Sequence, residues 1–188
     1  MPPSKPRIAP LPEAQWSEDA RKVIEPTRQM SGGKVFNVFS TLAHHPHLLK
    51  RWMVFANHVL VKTTLPPRER EILILRAGWL CGSEYEWGQH VVIGRASGLT
   101  DDDIERISVG PDAPGWSAAD AALLRAADEL HRDSCISDAT WGVLQSRLTT
   151  EQILDVIFTV GQYAMLAGAL NSLGVQLDEG LPRMQRRA

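Results

Sequence analysis

Four side chains that can exchange protons or form hydrogen bonds lie close together in the chain: Glu71, Ser83, Glu86 and His90. Glu86 and His90 are four residues apart, so a helix would place them on one face. Glu71 lies in an apolar segment, where a buried carboxylate is costly unless another group pairs with it. A histidine beside carboxylates is suited to acid–base catalysis near neutral pH. From the residues alone, an alternative stays open, in which Glu86 only caps a helix and His90 is a core histidine.

Two helices joined by a short turn are predicted to position these residues. Pro66 and Pro67 begin a helix that runs to Leu80, because proline is favoured in the first turn of a helix. Gly82 interrupts the pattern, and Ser83 and Glu86 then have the S-x-x-E spacing of a capping box, in which each side chain caps the other's backbone. The second helix is predicted to end near residue 97.

The remainder of the chain predicts an all-α bundle of about eight helices, because apolar residues recur at helical spacing and no alternating strand pattern stands out. Residues 1–15 form a proline-rich extended arm, which is either disordered or laid across a partner subunit. Residues 16–175 form one helical domain, and residues 176–188 form a C-terminal tail. A long apolar helix is predicted over 149–173, with a capping box at its start and a face of small residues.

Composition narrows the class of protein. The 188 residues include 20 basic and 22 acidic side chains, for a net charge of −2. No basic field is available for nucleic acid. The N-terminus lacks the apolar core of a signal peptide, and the longest apolar stretch is interrupted and too short to span a bilayer. Cys81 and Cys135 are far apart, which argues for a reducing, cytoplasmic environment.

Three segments in order carry a family resemblance: LPPREREILIL at 65–75, CGSEYEWGQH at 81–90 and GLTDDDI at 98–104. They resemble the carboxymuconolactone decarboxylase and alkylhydroperoxidase D superfamily, with Glu71 and His90 at the family's glutamate and histidine positions. The resemblance implies an all-helical fold and homo-oligomers, which are commonly dimers, trimers or hexamers.

The peroxidase branch of the superfamily carries a C-x-x-C pair, and its two positions fall on Ser83 and Glu86 in this chain. The decarboxylase branch uses neither a thiol pair nor a cofactor. We therefore expect a cofactor-free, decarboxylase-like lyase that acts on a small cyclic or aromatic-derived carboxylate or lactone. The predicted catalytic residues are Glu71, Glu86 and His90, and the predicted substrate-binding residues are Ser83, Tyr85 and Trp87.

Two other functions stay open. Cys81 is a possible redox thiol, with which the protein would be a peroxidase-like antioxidant that needs an external reductant. The protein could also be a non-catalytic oligomeric binding protein with a vestigial pocket. A metal ion bound by Glu71, Glu86 and His90 is chemically possible, but no second histidine lies at ligand spacing, so no metal is predicted.

Overall fold

The computed structural model describes residues 3–30 and 32–185, without the side chains of residues 29 and 30. Residues 1–2 of the predicted arm and residues 186–188 of the predicted tail lie outside the described residues. Within these ranges the protein has nine α-helices and no strand, which confirms the predicted all-α fold. The helices are α1 (Glu18–Met30), α2 (Asn37–Leu42), α3 (Pro46–Asn57), α4 (Pro67–Leu80), α5 (Glu84–Ala96), α6 (Asp101–Val109), α7 (Ala118–Asp133), α8 (Asp138–Gln145) and α9 (Thr150–Leu173).

Helix α4 is the centre of the bundle and packs against α5, α7 and α9. Every residue from Glu71 to Gly78 is buried, as expected for a helix that is surrounded on all sides. Two of these residues, Glu71 and Arg76, are charged, so each needs a partner inside the protein. Arg76 binds the carboxylate of Asp128 on α7.

Helices α4 and α5 form an antiparallel pair, because only three residues separate them and Glu71 near the start of α4 contacts His90 on α5. The two backbones approach closely at Gly78, where an added Cβ would lie 3.3 Å from Cβ of Glu86. This close approach brings the N-terminal turn of α5 against the last turn of α4.

Helix α9 begins with the predicted capping box, since the Thr149 hydroxyl accepts a hydrogen bond from the Gln152 backbone amide and Oε1 of Gln152 accepts one from the Thr149 backbone amide. It packs against α4, α5 and α7. By length and composition alone α9 would be able to cross a membrane, with a mean hydropathy of 1.6 over its most apolar stretch, and 44% of that stretch is buried inside the protein.

The described parts of the arm and the tail pack on their own chain. The arm is bonded to the C-terminal end of α9 through Arg7, whose amide donates to the Leu173 carbonyl at 2.8 Å. The tail crosses α5 at Gly88, where an added Cβ would lie 2.5 Å from a methyl group of Leu177, so only glycine fits under the tail. The tail thereby covers the face of α5 that points away from α4.

Candidate active site

A buried hydrogen bond joins the predicted glutamate and histidine. Oε2 of Glu71 lies 2.7 Å from Nδ1 of His90, and Oε1 of Glu71 accepts a hydrogen bond from Nε of Arg70 at 2.9 Å. Glu71 is wholly buried and His90 is 5% exposed. Because an ionised carboxylate only accepts hydrogen bonds, this contact places a proton on Nδ1 of His90 and leaves Nε2 for chemistry.

Glu86 lies at the opposite nitrogen of the same ring. Its Oε2 is 3.6 Å from Nε2 of His90, as their spacing on one helix face predicted. The predicted reciprocal capping box is only half correct: Ser83 accepts a bond from the Glu86 amide at 3.4 Å, but the Glu86 carboxylate does not return one. It turns inward, because its position beside α4 directs the side chain to His90.

The charges of the three groups depend on one another. Burial acts to raise the pKa of Glu71, but His90 and Arg70 outweigh it, so the pKa is lowered and Glu71 stays ionised. Burial acts to lower the pKa of His90, but the neighbouring carboxylates outweigh it and the pKa is raised. Burial raises the pKa of Glu86 to about 7, with His90 opposing the shift and Glu71 adding to it. Glu86 and His90 can therefore exchange a proton near neutral pH.

Tyr163 of α9 completes the walls around the histidine. Its ring stands edge-on to the His90 ring, with 4.8 Å between the centroids. Within the described residues no group of three or more histidine, cysteine, aspartate or glutamate side chains is arranged to hold a metal ion. Around His90, the carboxylates of Glu71 and Glu86 lie at opposite nitrogens of the imidazole ring, so they do not converge on one metal position.

The residues predicted to bind substrate lie in three different environments. Ser83 is fully buried and caps α5. Tyr85 points to the tail, where its hydroxyl donates to Asp178 at 2.6 Å. Trp87 packs on Trp79, with 5.0 Å between ring centroids, and lines an open groove of about 1030 Å³ beside α6. Among the described contacts of these three side chains, Ser83 accepts a hydrogen bond from the backbone of a predicted catalytic residue, Glu86. The role of all three in substrate binding stays a prediction.

Cys81 lies at the end of α4, apart from the buried histidine. Its Sγ is 3.7 Å from Nδ1 of His131 on α7, a contact between residues that are fifty positions apart. Cys135 is exposed, and neither cysteine is in a disulfide. A thiol beside an imidazole is an arrangement that can favour the thiolate.

Three residues of the site region were not among the predicted site residues: Arg70, His131 and Tyr163. The place of Arg70 directly before a glutamate in an apolar segment is a local signal for its ion pair with Glu71. His131 and Tyr163 lie on other helices, and no local pattern connects them with Cys81 or His90. Their roles depend on the packing of α7 and α9.

Comparison with known proteins gives a family match over the part of the chain that contains these residues. Residues 46–129 match the carboxymuconolactone decarboxylase family, and this range contains Glu71, Glu86 and His90. No curated protein sequence matches the chain significantly.

Solved structures share the fold at low sequence identity. An alkylhydroperoxidase AhpD core, an uncharacterized peroxidase-related protein from Ralstonia eutropha JMP134, is 21% identical with a TM-score of 0.80, covering 92% of this chain and 93% of that one. An uncharacterized peroxidase-related protein from Silicibacter sp. TM1040 is 20% identical with a TM-score of 0.81, covering 94% of each chain. A cysteine-to-alanine variant of the debrominase Bmp8, in complex with 2,3,4-tribromopyrrole, is 12% identical with a TM-score of 0.78, covering 93% of each chain.

The family match and the arrangement of helices lead to one conclusion. Residues 46–129 match the carboxymuconolactone decarboxylase family, the described chain has an alkylhydroperoxidase D-like helical fold, and its sequence has no C-x-x-C pair.

Proposed function

We propose that the protein is a cofactor-free acid–base enzyme of the decarboxylase-like kind, acting on a small cyclic or aromatic-derived carboxylate or lactone. The observation that carries the proposal is the buried series of Glu71, His90 and Glu86, with contacts of 2.7 and 3.6 Å to the two nitrogens of one imidazole ring. A pKa near 7 at Glu86 provides a group that gains and loses a proton near physiological pH, and the raised pKa of His90 favours its protonated form.

Each residue has a distinct part in this chemistry. Loss of CO₂ from a carboxylate leaves an electron pair on carbon, which must take up one proton. Glu86 in its protonated form would supply that proton, the imidazolium of His90 would return one to Glu86 from Nε2, and water would reprotonate the imidazole. Glu71 would keep the imidazole in one orientation and stabilise its positive charge. Lactone hydrolysis would need in addition a water molecule as nucleophile, and isomerisation would need a proton removed from one atom and returned at another. That Bmp8 holds a small aromatic ring on a similar fold supports a small ring as the substrate.

The test is a substrate screen with carboxymuconolactone and a panel of small cyclic and aromatic carboxylates and lactones, with CO₂ release and ring opening as readouts. We expect turnover that requires His90. Turnover that persists unchanged in a folded His90→Gln protein would overturn the proposal.

A thiol peroxidase is the second candidate, and the 3.7 Å contact between Cys81 and His131 favours it. The Cys81 thiolate would break the O–O bond of a peroxide, forming a sulfenic acid and releasing an alcohol. An external thiol would then reduce the sulfenic acid back to the Cys81 thiol. We expect consumption of cumene hydroperoxide in the presence of dithiothreitol to disappear in Cys81→Ser and to persist in the control Cys135→Ser. Equal rates in all three proteins would reject this candidate.

We also propose that a second copy of the chain covers the outer face of α9, giving a dimer, trimer or hexamer. Leu154, Phe158 and Met165 are all at least half exposed there, at spacings of four and seven residues, and α9 has no charged side chain after Asp155. Gly161 lies between Phe158 and Met165, and Gly168 lies three residues after Met165; the space over each glycine is open, which permits close approach of another helix.

Sedimentation velocity tests this assembly. We expect the wild type to sediment as an oligomer at micromolar concentration, and Met165→Asp to shift it towards the monomer because a charge would be buried in the interface. Val92→Asp places the same charge at an exposed valine on α5 and should leave the sedimentation unchanged. A monomeric wild type would contradict the proposal.

A further inference from the structure

The described part of the C-terminal tail, residues 176–185, is fastened to the helix bundle through one carboxylate. Oδ2 of Asp178 accepts hydrogen bonds from the Tyr85 hydroxyl at 2.6 Å and from Nε2 of Gln89 at 2.8 Å. Oδ1 of Asp178 accepts a third bond, at 3.0 Å, from the backbone amide of Asn37. Asn37 is the first residue of α2, whose N-cap residue provides no side-chain cap, so Asp178 fills this role. A single side chain of the tail therefore joins α2 to α5.

Helix α5 has a glycine at the point where the tail crosses it. An added Cβ at Gly88 would lie 2.5 Å from a methyl carbon of Leu177 and 2.8 Å from the carbonyl oxygen of Pro182. Contacts this short are not tolerated, so any side chain at this position would push the tail away from α5. Arg183 extends the contact, because its guanidinium lies 3.3 Å from the Glu84 carboxylate. Packing and polar contacts therefore hold the tail on the same helix.

These contacts restrain the rotation of α5 about its own axis. Tyr85 and Gln89 directly precede Glu86 and His90 in the sequence, and successive residues of an α-helix point about 100° apart. The tail therefore holds one face of α5, and the two residues of the acid–base pair project from another. A rotation of the helix that loosened the tail would move Glu86 and His90 together.

The hydrogen bond between His90 and Glu71 is sensitive to such a rotation, because it joins α5 to α4. An outer side-chain atom lies about 5 Å from the helix axis, so a rotation of about 10° moves it by roughly 1 Å. Nδ1 of His90 is 2.7 Å from Oε2 of Glu71, and a displacement of this size away from Glu71 would break the bond. The orientation of the imidazole therefore depends on how firmly α5 is held.

We propose that Asp178 is a positioning residue and that the tail is a strap, which fixes the rotation of α5 and so keeps Nδ1 of His90 on the Glu71 carboxylate. The strap acts through Tyr85 and Gln89 and not through the reacting atoms. The inference rests on the proposed function, in which this hydrogen bond orients the imidazole and leaves Nε2 for chemistry. In this arrangement the Tyr85 hydroxyl is committed to the strap.

The position of His90 can be followed without a substrate, from the titration of its imidazole. The titratable and charged groups that face it are Glu71 and Arg70 on α4, Glu86 on α5 and Tyr163 on α9. Burial acts to lower the pKa of His90, but Glu71 and Glu86 outweigh both burial and Arg70, so the pKa is raised. Loss of the Glu71 contact should therefore lower this pKa.

NMR of protein labelled with ¹⁵N in its six histidines tests the strap. His90→Gln lacks one signal and thereby assigns it. In Asp178→Ala, we expect the pKa of His90 to fall by about one unit, because the tail releases α5 and the paired carboxylate moves away. Glu179→Ala is the matched control: it removes the next carboxylate of the tail, which is exposed, and should leave the titration of His90 unchanged.

Gly88→Ala displaces the tail without changing any charge. Alanine is a better helix former than glycine, so α5 itself should be at least as stable as in the wild type. We expect the pKa of His90 to fall in this variant as it does in Asp178→Ala. If Asp178→Ala does not fold, Gly88→Ala decides the question on its own.

An unchanged titration of His90 in folded Gly88→Ala would overturn the inference. It is also wrong if Glu179→Ala lowers the pKa as much as Asp178→Ala, since the effect would then come from the lost charge and not from the strap. The strap and the proposed function can fail separately. A lowered pKa in the two strap variants of a protein that turns over no substrate supports the strap alone, whereas turnover by the wild type with unchanged titration in the variants supports the catalysis alone.

Discussion

Replacing His90 with glutamine should lower kcat/KM on a substrate found in the screen by about 10²–10⁴-fold, the usual contribution of a positioned general acid–base group. In the proposed mechanism Nε2 of His90 returns a proton to Glu86, and the amide of glutamine cannot do so because it does not titrate near neutral pH. Glutamine still offers an N–H for the Glu71 carboxylate, so the buried hydrogen bond at 2.7 Å has a substitute and the fold should persist.

The matched control is a substitution of His131, the histidine beside Cys81 in the candidate peroxidase site. His131→Asn removes an imidazole from beside Cys81 and should leave the decarboxylase-like turnover within about twofold of the wild type, since surface substitutions away from a site have small effects. Steady-state kinetics at pH 7, with circular dichroism and thermal unfolding to verify folding, provide the comparison. If His131→Asn lost turnover while His90→Gln retained it, the reaction would take place at Cys81 and the acid–base proposal would be wrong.

The sequence predicted the position of the site better than its internal contacts. Glu71 and His90 are nineteen residues apart, and Pro67, Gly82 and Ser83 are local signals for two short-connected helices that place them side by side. The direction of the Glu86 side chain was not predictable in the same way. A capping bond at the helix start and a contact with His90 both satisfy the S-x-x-E spacing, and the packing of α5 against Gly78 decides between them.

The contacts that α7 and α9 make with Cys81 and His90 could not be predicted from any local sequence pattern. Tyr163 reaches His90, and His131 reaches Cys81, only because α4 is enclosed by helices that come much later in the chain. The long α9 helix itself was predictable from its capping box and apolar length. Which of its faces points to the active site is fixed by tertiary packing, for which a single sequence carries no periodic signal.

The two glutamates of the site should respond in opposite ways to the same substitution at pH 8. Glu86→Gln should increase the free energy of unfolding by about 3 kcal/mol, because a pKa of about 7 in the folded protein, against 4.5 ordinarily, makes ionisation of the buried carboxyl costly. Glu71→Gln should decrease it by about 3 kcal/mol, because His90 and Arg70 lose the carboxylate that pairs with them.

The pH dependence follows from the direction of each shift. The folded protein holds the Glu86 proton more tightly than the unfolded chain, so the stability of the wild type should fall as pH rises from about 4.5 to about 7, and the benefit of Glu86→Gln should vanish near pH 4.5. The lowered pKa of Glu71 has the opposite sign: its contribution is present above 4.5 and is lost as pH falls through the folded pKa. Urea unfolding at pH 5 and pH 8 measures the effect of Glu86, and a further series at pH 3 measures the loss of the Glu71 contribution. Glu84→Gln is the control because this neighbour on α5 is partly exposed and paired with Arg183. If Glu86→Gln were no more stabilising at pH 8 than at pH 5, Glu86 would be ionised in the folded protein at pH 7 and would have no proton to donate.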